Sequence, residues 1–512
     1  MSSAMKKRDV LLSLLSGILL VLSYPNFNFE FLAWFALVPL LHALRDKSTL
    51  AGFTLGYLAG FTTFLGILYW IVVAVHTYGN IPLLPSLLIL LLLILYLSLF
   101  FGTFTLLVHL VRQRFGSRML IVAPFLWVAL EYVRSFLMSG FPWAYLGHSQ
   151  YLNLPLIQVA DITGVYGLSF IVLWVNVTLY LTLHQWPAKK FPYREALISA
   201  AILIAVLCYG YIKMGATDRQ NAKNPALKIG LVQGNIDQSV KWSEAFQKVT
   251  LETYEKLSLG VAKGKPELII WPETATPFFF QDEKRYQPFV LNVPVQTNAF
   301  LLFGSPSYKV ERGKVVHYNS AYLAAPSGEL AGRYDKIHLV PFGEYVPLGD
   351  ILSLGSLGEG IGDFKSGKEA VNLVLPRAKF GVLICFEIIF PDLCRQFVKK
   401  GANFLVTITN DAWFGRTSAP YQHFSLAVFR AVENRVYVAR AANTGISGII
   451  DPVGRIRKQG GIFREEAISG VIHLSVLKTF YTLHGDVFAW VCSAVSLLLV
   501  GFLVFPRLLL RK

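Results

Sequence analysis

Charge is scarce in this 512-residue chain: 15% of its residues are Asp, Glu, Lys or Arg, against 54% hydrophobic and 14% aromatic. With a mean hydropathy of +0.51, that balance excludes an ordinary soluble protein of this length and makes a membrane protein the natural reading. Acidic residues are the scarcer sign, 31 against 47 Lys and Arg, for a formal net charge of +16. The basic residues form short clusters between long apolar runs rather than one stripe with interleaved aromatics, which argues against nucleic acid as a partner. Cysteine is sparse too. Of the four, Cys208 and Cys492 sit inside apolar runs, while Cys385 and Cys394 lie nine apart in the polar middle of the chain. No CxxC pair or disulfide framework is present. The ten histidines show neither HExxH nor any paired ligand spacing, so no metal site is expected.

What the sequence has in quantity is apolar length. Runs able to cross roughly 30 Å of hydrocarbon as helices fall at about 9–24, 51–75, 83–111, 119–138, 165–183, 196–214 and 487–505, with a shorter one at 29–44. Lys6, Lys7 and Arg8 precede the first run and Arg45 and Lys47 follow the short one, so both clusters share a side only if the short run also crosses. The positive-inside rule therefore favours eight transmembrane helices. The clusters Arg112, Arg114, Arg118, then Lys189, Lys190, Arg194, and finally Arg507, Arg511, Lys512 then fall on the cytoplasmic side with both termini. The long segment between the last two spans faces the other way. The first run resembles the apolar part of a signal peptide, but no small-x-small cleavage site precedes Tyr24-Pro25-Asn26, so it reads as an uncleaved helix. Within the run 119–138, Glu131 and Arg134 stand three apart on one helix face, a spacing that favours pairing.

The outer segment changes character. Short β-rich runs at 227–233, 267–271, 299–304, 379–385 and 404–409 alternate with helical stretches such as 243–262 and 421–436, the pattern of an α/β sandwich whose helices cover its sheets. The expected division is 1–214 for helices one to seven, 215–225 a linker, 226–475 an extracytoplasmic domain, 476–486 a linker, 487–505 the eighth helix and 506–512 a cytoplasmic tail.

Three residues in this domain carry chemistry. Cys385 closes the apolar strand Lys379-Phe-Gly-Val-Leu-Ile-Cys385; Glu273 follows a proline that ends Leu268-Ile-Ile-Trp-Pro-Glu273; Lys336 lies in Arg333-Tyr-Asp-Lys336-Ile-His-Leu-Val-Pro341. Singly, each has a bland alternative: an inert core cysteine, a loop carboxylate, a solvated edge lysine. Together they are complementary, because an ammonium favours a thiolate and a carboxylate accepts the thiol proton. Glu273 and Cys385 both fall at the carboxyl ends of strands, where open α/β sheets gather ligands.

Trp-Pro-Glu273, Tyr-Asp-Lys336 and Ile-Cys385-Phe-Glu, in this order, resemble the Glu, Lys, Cys motifs of the nitrilase superfamily. Pro341-Phe-Gly-Glu344-Tyr-Val-Pro347, Asn410-Asp-Ala-Trp413-Phe-Gly415 and Phe141-Pro-Trp143, set between membrane spans, extend the resemblance to the bacterial apolipoprotein N-acyltransferases over nearly the whole chain. One departure is Phe386, where tyrosine is expected in many relatives. The resemblance implies a nitrilase-like αββα domain on a multi-pass helical membrane domain in the bacterial inner membrane. It implies transfer of an acyl chain from a phospholipid to a diacylated lipoprotein, with no cofactor. Glu273 is then the proton acceptor, Cys385 the nucleophile and Lys336 the oxyanion stabiliser, with Glu344 supporting. Trp242, Phe386, Glu387, Trp413 and Phe414 are candidate substrate-binding residues, and Phe278-Phe279-Phe280, Trp413-Phe414 and the Gly-rich stretch 352–362 are candidate lid segments. A membrane-tethered amidase uses the same triad and is the main alternative; a channel would spread ionisable residues through several spans, which here show chiefly Glu131 and Arg134.

Overall fold

The computed structural model of the chain describes residues 5–185, 191–345 and 364–509. They form two compact units, one made of Val73–Ile81 with Gly215–Leu483, the other of the remaining helical segments. The lid candidate 352–362 and the end of the Pro341–Pro347 motif lie outside the described residues.

In the helical unit the apolar runs become α1 (Lys7–Leu22), α2 (Thr49–Leu68), α3 (Leu83–Phe115), α4 (Ala123–Arg134), α5 (Val165–Gln185), α6 (Tyr193–Asn221) and a C-terminal helix, Val487–Leu509. Among the described residues four helices, α2, α3, α5 and α6, are long and apolar enough to cross a membrane. Gly60 lets α2 and α3 touch: a Cβ there would stand 2.8 Å from that of Phe101, the small-residue contact that packs helices in lipid. Two runs are more broken than their hydropathy suggests. Residues 29–44 fold as a 3-10 turn, Glu30–Trp34, and a short helix, Val38–Ala43. In the run 119–138, α4 ends at Arg134, and left-handed Met138 and Ser139 stop any continuation. Glu131 and Arg134 line one cavity but are held by different partners. Glu131 accepts from Trp127 Nε1 and Leu146 N, both at 2.8 Å, whereas the Arg134 guanidinium lies over the rings of Phe64 and Tyr145 at 5.3 and 4.9 Å.

The second unit is an αββα sandwich of two six-stranded sheets. The strands are β1 (Ala226–Gln233), β2 (Leu268–Ile270), β3 (Phe300–Glu311), β4 (Lys314–Ala324), β5 (Leu330–Asp335), β6 (Leu373–Leu375), β7 (Ala378–Ile384), β8 (Phe404–Thr409), β9 (Tyr437–Ala442), β10 (Gly448–Ile450), β11 (Ile456–Gln459) and β12 (Glu466–His473). Their orders are β12-β1-β2-β3-β4-β5 and β11-β10-β9-β8-β7-β6. In each sheet three parallel strands, β1-β2-β3 or β7-β8-β9, are flanked by antiparallel ones. The parallel strands β2, β8 and β9 are buried at every residue, the continuous apolar signature of strands covered on both faces. Helices α7 (Glu244–Ala262) and α8 (Gln287–Thr297) cover the first sheet, and α9 (Pro391–Lys399) and α10 (Ala419–Asn434) the second. The sheets meet through β1 with β9 and β4 with β7. Phe278 and Phe280, candidate lid residues, pack instead into the core under the first sheet with Trp271, Phe303 and Tyr322.

Candidate active site

Each expected triad residue lies just past a strand end. Pro272 and Glu273 follow β2, Lys336 follows β5, and Cys385 comes directly after β7. Cys385 is not the last strand residue but the first of a 3-10 turn, Cys385–Ile389, and its φ is +53°. A side chain in the left-handed region is strained, and such residues concentrate at functional turns. Gly304 on β3 makes room for the Glu273 turn. A Cβ there would lie 2.5 Å from Thr274 N and 2.7 Å from Glu273 Cα.

The structure brings Glu273, Lys336 and Glu344 into one buried cluster. Lys336 Nζ, with 1% of its side chain exposed, lies 2.9 Å from Glu344 and 3.6 Å from Glu273 Oε1. Asn319 on β4 ties the two carboxylates together, its Nδ2 donating to Glu273 Oε1 and to Glu344 Oε1, each at 2.8 Å. The Asn319 carbonyl in turn accepts from Lys336 N at 2.8 Å. The other Glu273 oxygen accepts from the backbone N–H of Asn410 at 2.9 Å, and Lys241 Nζ donates to the Glu273 carbonyl at 3.3 Å. Burial opposes the Lys336 charge, but Glu344, Glu273 and Cys385 together raise its pKa, so the ammonium is retained.

Cys385 is a free thiol with part of its surface open, and Cys394 is free and buried. Burial first, then the Glu273 charge, push the Cys385 thiol up, while Lys336 pulls it down without prevailing. The expected ammonium effect is therefore present but outweighed, and the resting group is a thiol.

The remaining candidates divide. Glu387 is wholly buried and points inward: Oε1 accepts from Tyr334 OH at 2.8 Å, Ile337 N at 2.7 Å and His338 N at 3.0 Å, and Oε2 from Ile384 N at 2.7 Å. It ties the end of β7 to the segment that carries Lys336, and burial raises its pKa to about 7 against those four donors. Phe386 packs on His338 and Phe390 at 6.0 and 5.3 Å between centroids. Trp413 meets Tyr78 edge to face at 6.5 Å and Phe414 meets His423 at 6.2 Å. Trp242 precedes α7, and its indole Nε1 is buried with no hydrogen-bond partner among the described residues. Three residues at the site escaped the sequence reading: Asn319, Lys241 and His423. Asn410 was in view as part of the Asn410–Gly415 run, but not its backbone N–H as a donor to Glu273.

Two six-stranded sheets with a carboxylate, an ammonium and a thiol at their strand ends define a carbon–nitrogen hydrolase domain. Residues 228–481 match the family model described as carbon-nitrogen hydrolase, and residues 16–178 match that of the apolipoprotein N-acyltransferase N-terminal domain. The chain belongs to the apolipoprotein N-acyltransferase family. An apolipoprotein N-acyltransferase of Geobacter metallireducens is 44% identical over 98% of this chain and 96% of its own length. Relatives of the same name from Haemophilus influenzae and Pasteurella multocida are 32% and 31% identical; the alignments cover 97% and 98% of this chain and 95% and 99% of theirs. These names favour acyl transfer over the amidase alternative.

Proposed function

We propose that this enzyme moves a fatty acyl chain from a membrane phospholipid to the α-amino group of the N-terminal S-diacylglyceryl cysteine of an apolipoprotein. The reading is carried by one observation: two carboxylates and an ammonium are fixed in a buried cluster that acts electrostatically on a strained, partly open thiol. In the first half-reaction Glu273 takes the Cys385 proton as sulfur attacks the ester carbonyl. The oxyanion is stabilised by Lys336 and the Phe386 N–H. Its collapse breaks the ester C–O bond, the leaving lysophospholipid oxygen takes the proton back from Glu273, and an acyl thioester remains. In the second half the lipoprotein amine attacks the thioester and gives its proton to Glu273. Collapse expels the Cys385 sulfur, which recovers that proton, and an amide is released. No cofactor takes part. Glu344 holds Lys336 in place through the contact at 2.9 Å.

The same reading places the enzyme in the bacterial inner membrane with eight spans, both termini cytoplasmic and the hydrolase-like domain, 226–475, in the periplasm. Basic clusters on one side of the runs support that orientation. Trp242, Trp413 and Phe414 supply apolar contact for the acyl chain.

Intact-mass analysis of the purified enzyme with phospholipid tests the chemistry. An acyl adduct on Cys385, discharged as N-acylated product by a diacylated lipopeptide and missing in C385A, is expected. Release of free fatty acid without acylated peptide refutes transfer.

A further inference from the structure

A left-handed cysteine persists only where its surroundings over-determine it. On one side of the Cys385 turn Glu387 holds Ile384 N at 2.7 Å. On the other, His423 Nε2 reaches the Cys385 carbonyl oxygen at 3.2 Å. His423 projects from α10, and its ring is clamped from behind: Nδ1 lies 3.1 Å from Asp411 Oδ1 and 3.1 Å from Arg440 Nη2, which donates to Asp411 Oδ2 at 2.6 Å. Thr409 Oγ1 donates to the same carboxylate at 2.9 Å. Side-chain exposure across His423, Asp411 and Arg440 is at most 1%, so the ring cannot swing without disturbing a buried ionic group. A carbonyl only accepts, so the nitrogen facing Cys385 carries hydrogen.

The Cys385 carbonyl and the Phe386 N–H belong to one rigid peptide plane, so fixing the oxygen fixes the direction of the N–H. A donor on the carbonyl also polarises the amide and strengthens its N–H. We propose that His423, braced by Asp411 and Arg440, is a positioning residue for the acyl transfer: it holds the Cys385–Phe386 peptide so that the Phe386 N–H points at the forming oxyanion. The inference rests on the thioester reading above, with that N–H as an oxyanion donor.

An isopolar pair of variants tests it. In H423Q the longer side chain puts an amide nitrogen where Nε2 stands; in H423N the amide ends near Nδ1, short of the carbonyl. H423Q is expected to form the Cys385 thioester within about threefold of the parent rate, and H423N about tenfold to a hundredfold more slowly, the range set by loss of a direct oxyanion donor as its upper limit. The loss should fall on kcat and leave the phospholipid KM unchanged. Equal rates for the two variants, a loss confined to KM, or failure of either to fold would each overturn the proposal, the last by marking fold support. If the parent enzyme itself forms no thioester on Cys385, the acyl-transfer reading fails and this inference falls with it; a parent that acylates beside an equally fast H423N sinks the inference alone.

Discussion

Replacing Glu387 by glutamine changes one buried atom and should disable the enzyme without touching Glu273, Lys336 or Cys385. Glu387 faces four donors and no acceptor: three on Oε1 and one, Ile384 N, on Oε2 at 2.7 Å. Turning Oε2 into an amide sets an N–H against the Ile384 N–H, which leaves buried donors unsatisfied at a cost of about 1–3 kcal/mol. Above about pH 7, where the Glu387 carboxyl is ionised, the other three bonds change from charge-assisted to neutral and lose roughly half their strength, or about 0.5–1 kcal/mol each. The total is about 2.5–6 kcal/mol, concentrated where β7 meets the Ile337–His338 backbone beside Lys336. A displacement of about 1 Å in a positioned group costs on the order of a hundredfold in rate. Single-turnover thioester formation in E387Q should therefore fall about a hundredfold, with a lower chemical-denaturation midpoint. An E387Q enzyme that acylates within twofold of the parent and unfolds at the same midpoint would refute the reasoning.

Two other perturbations probe the cluster. In G304A the new Cβ would stand 2.5 Å from Thr274 N, a backbone contact that cannot yield cheaply; the Glu273 turn must shift, and acylation should drop at least about tenfold with a loss of about 1–3 kcal/mol, seen in kcat and the denaturation midpoint. In K336M the thiol loses the one charge that pulls its pKa down, so its titration moves further up. Iodoacetamide alkylation of Cys385 at any fixed pH between about 8 and 10 should then slow, and an unchanged rate across that range would contradict the electrostatic coupling.

What could be read in advance follows from the physics of each element. Strands buried on both faces write themselves as unbroken apolar runs where no charged residue interrupts them, so the run 404–409 coincides with β8 and the ends of β2 and β7, where chemistry sits, stand out; β9, interrupted by Arg440, does not. Strands β4–β6 and β9–β12 are not among the expected runs: β12 alternates and β6 and β10 are three residues long, whereas β4 and β9 carry polar residues such as Asn319 and Arg440 in their buried stretches. Asn319 reads as one more polar residue among others in β4, because its role comes from two carboxylates brought to it by β2 and by the Val340–Glu344 turn. His423 and Arg440 lie in elements buried at nearly every residue, where neither periodicity nor spacing marks a polar side chain as special. Hydropathy also hid the breaks in the runs 29–44 and 119–138, since it measures how apolar a stretch is and not whether left-handed residues or prolines interrupt its helix.

The direction of the Cys385 shift bears on how the reaction is kept safe. An ammonium next to a thiol suggests a standing thiolate, but here Lys336 is already held between Glu344 and Glu273, and Glu273 lies in the field of the thiol with the opposite effect. The resting sulfur is consequently protonated and a poor nucleophile toward adventitious electrophiles and oxidants. In the proposed reaction it becomes reactive when its proton passes to Glu273 and the negative charge moves onto a bound carbonyl flanked by the Lys336 ammonium. That transfer needs Glu273 fixed, which is what Asn319 and the Asn410 N–H achieve by occupying both of its oxygens at 2.8 and 2.9 Å. On that proposal the cluster holds its charge in geometry rather than in a permanently ionised sulfur, so the strained turn and the braces on either side of it matter as much as Glu273, Lys336 and Cys385 themselves.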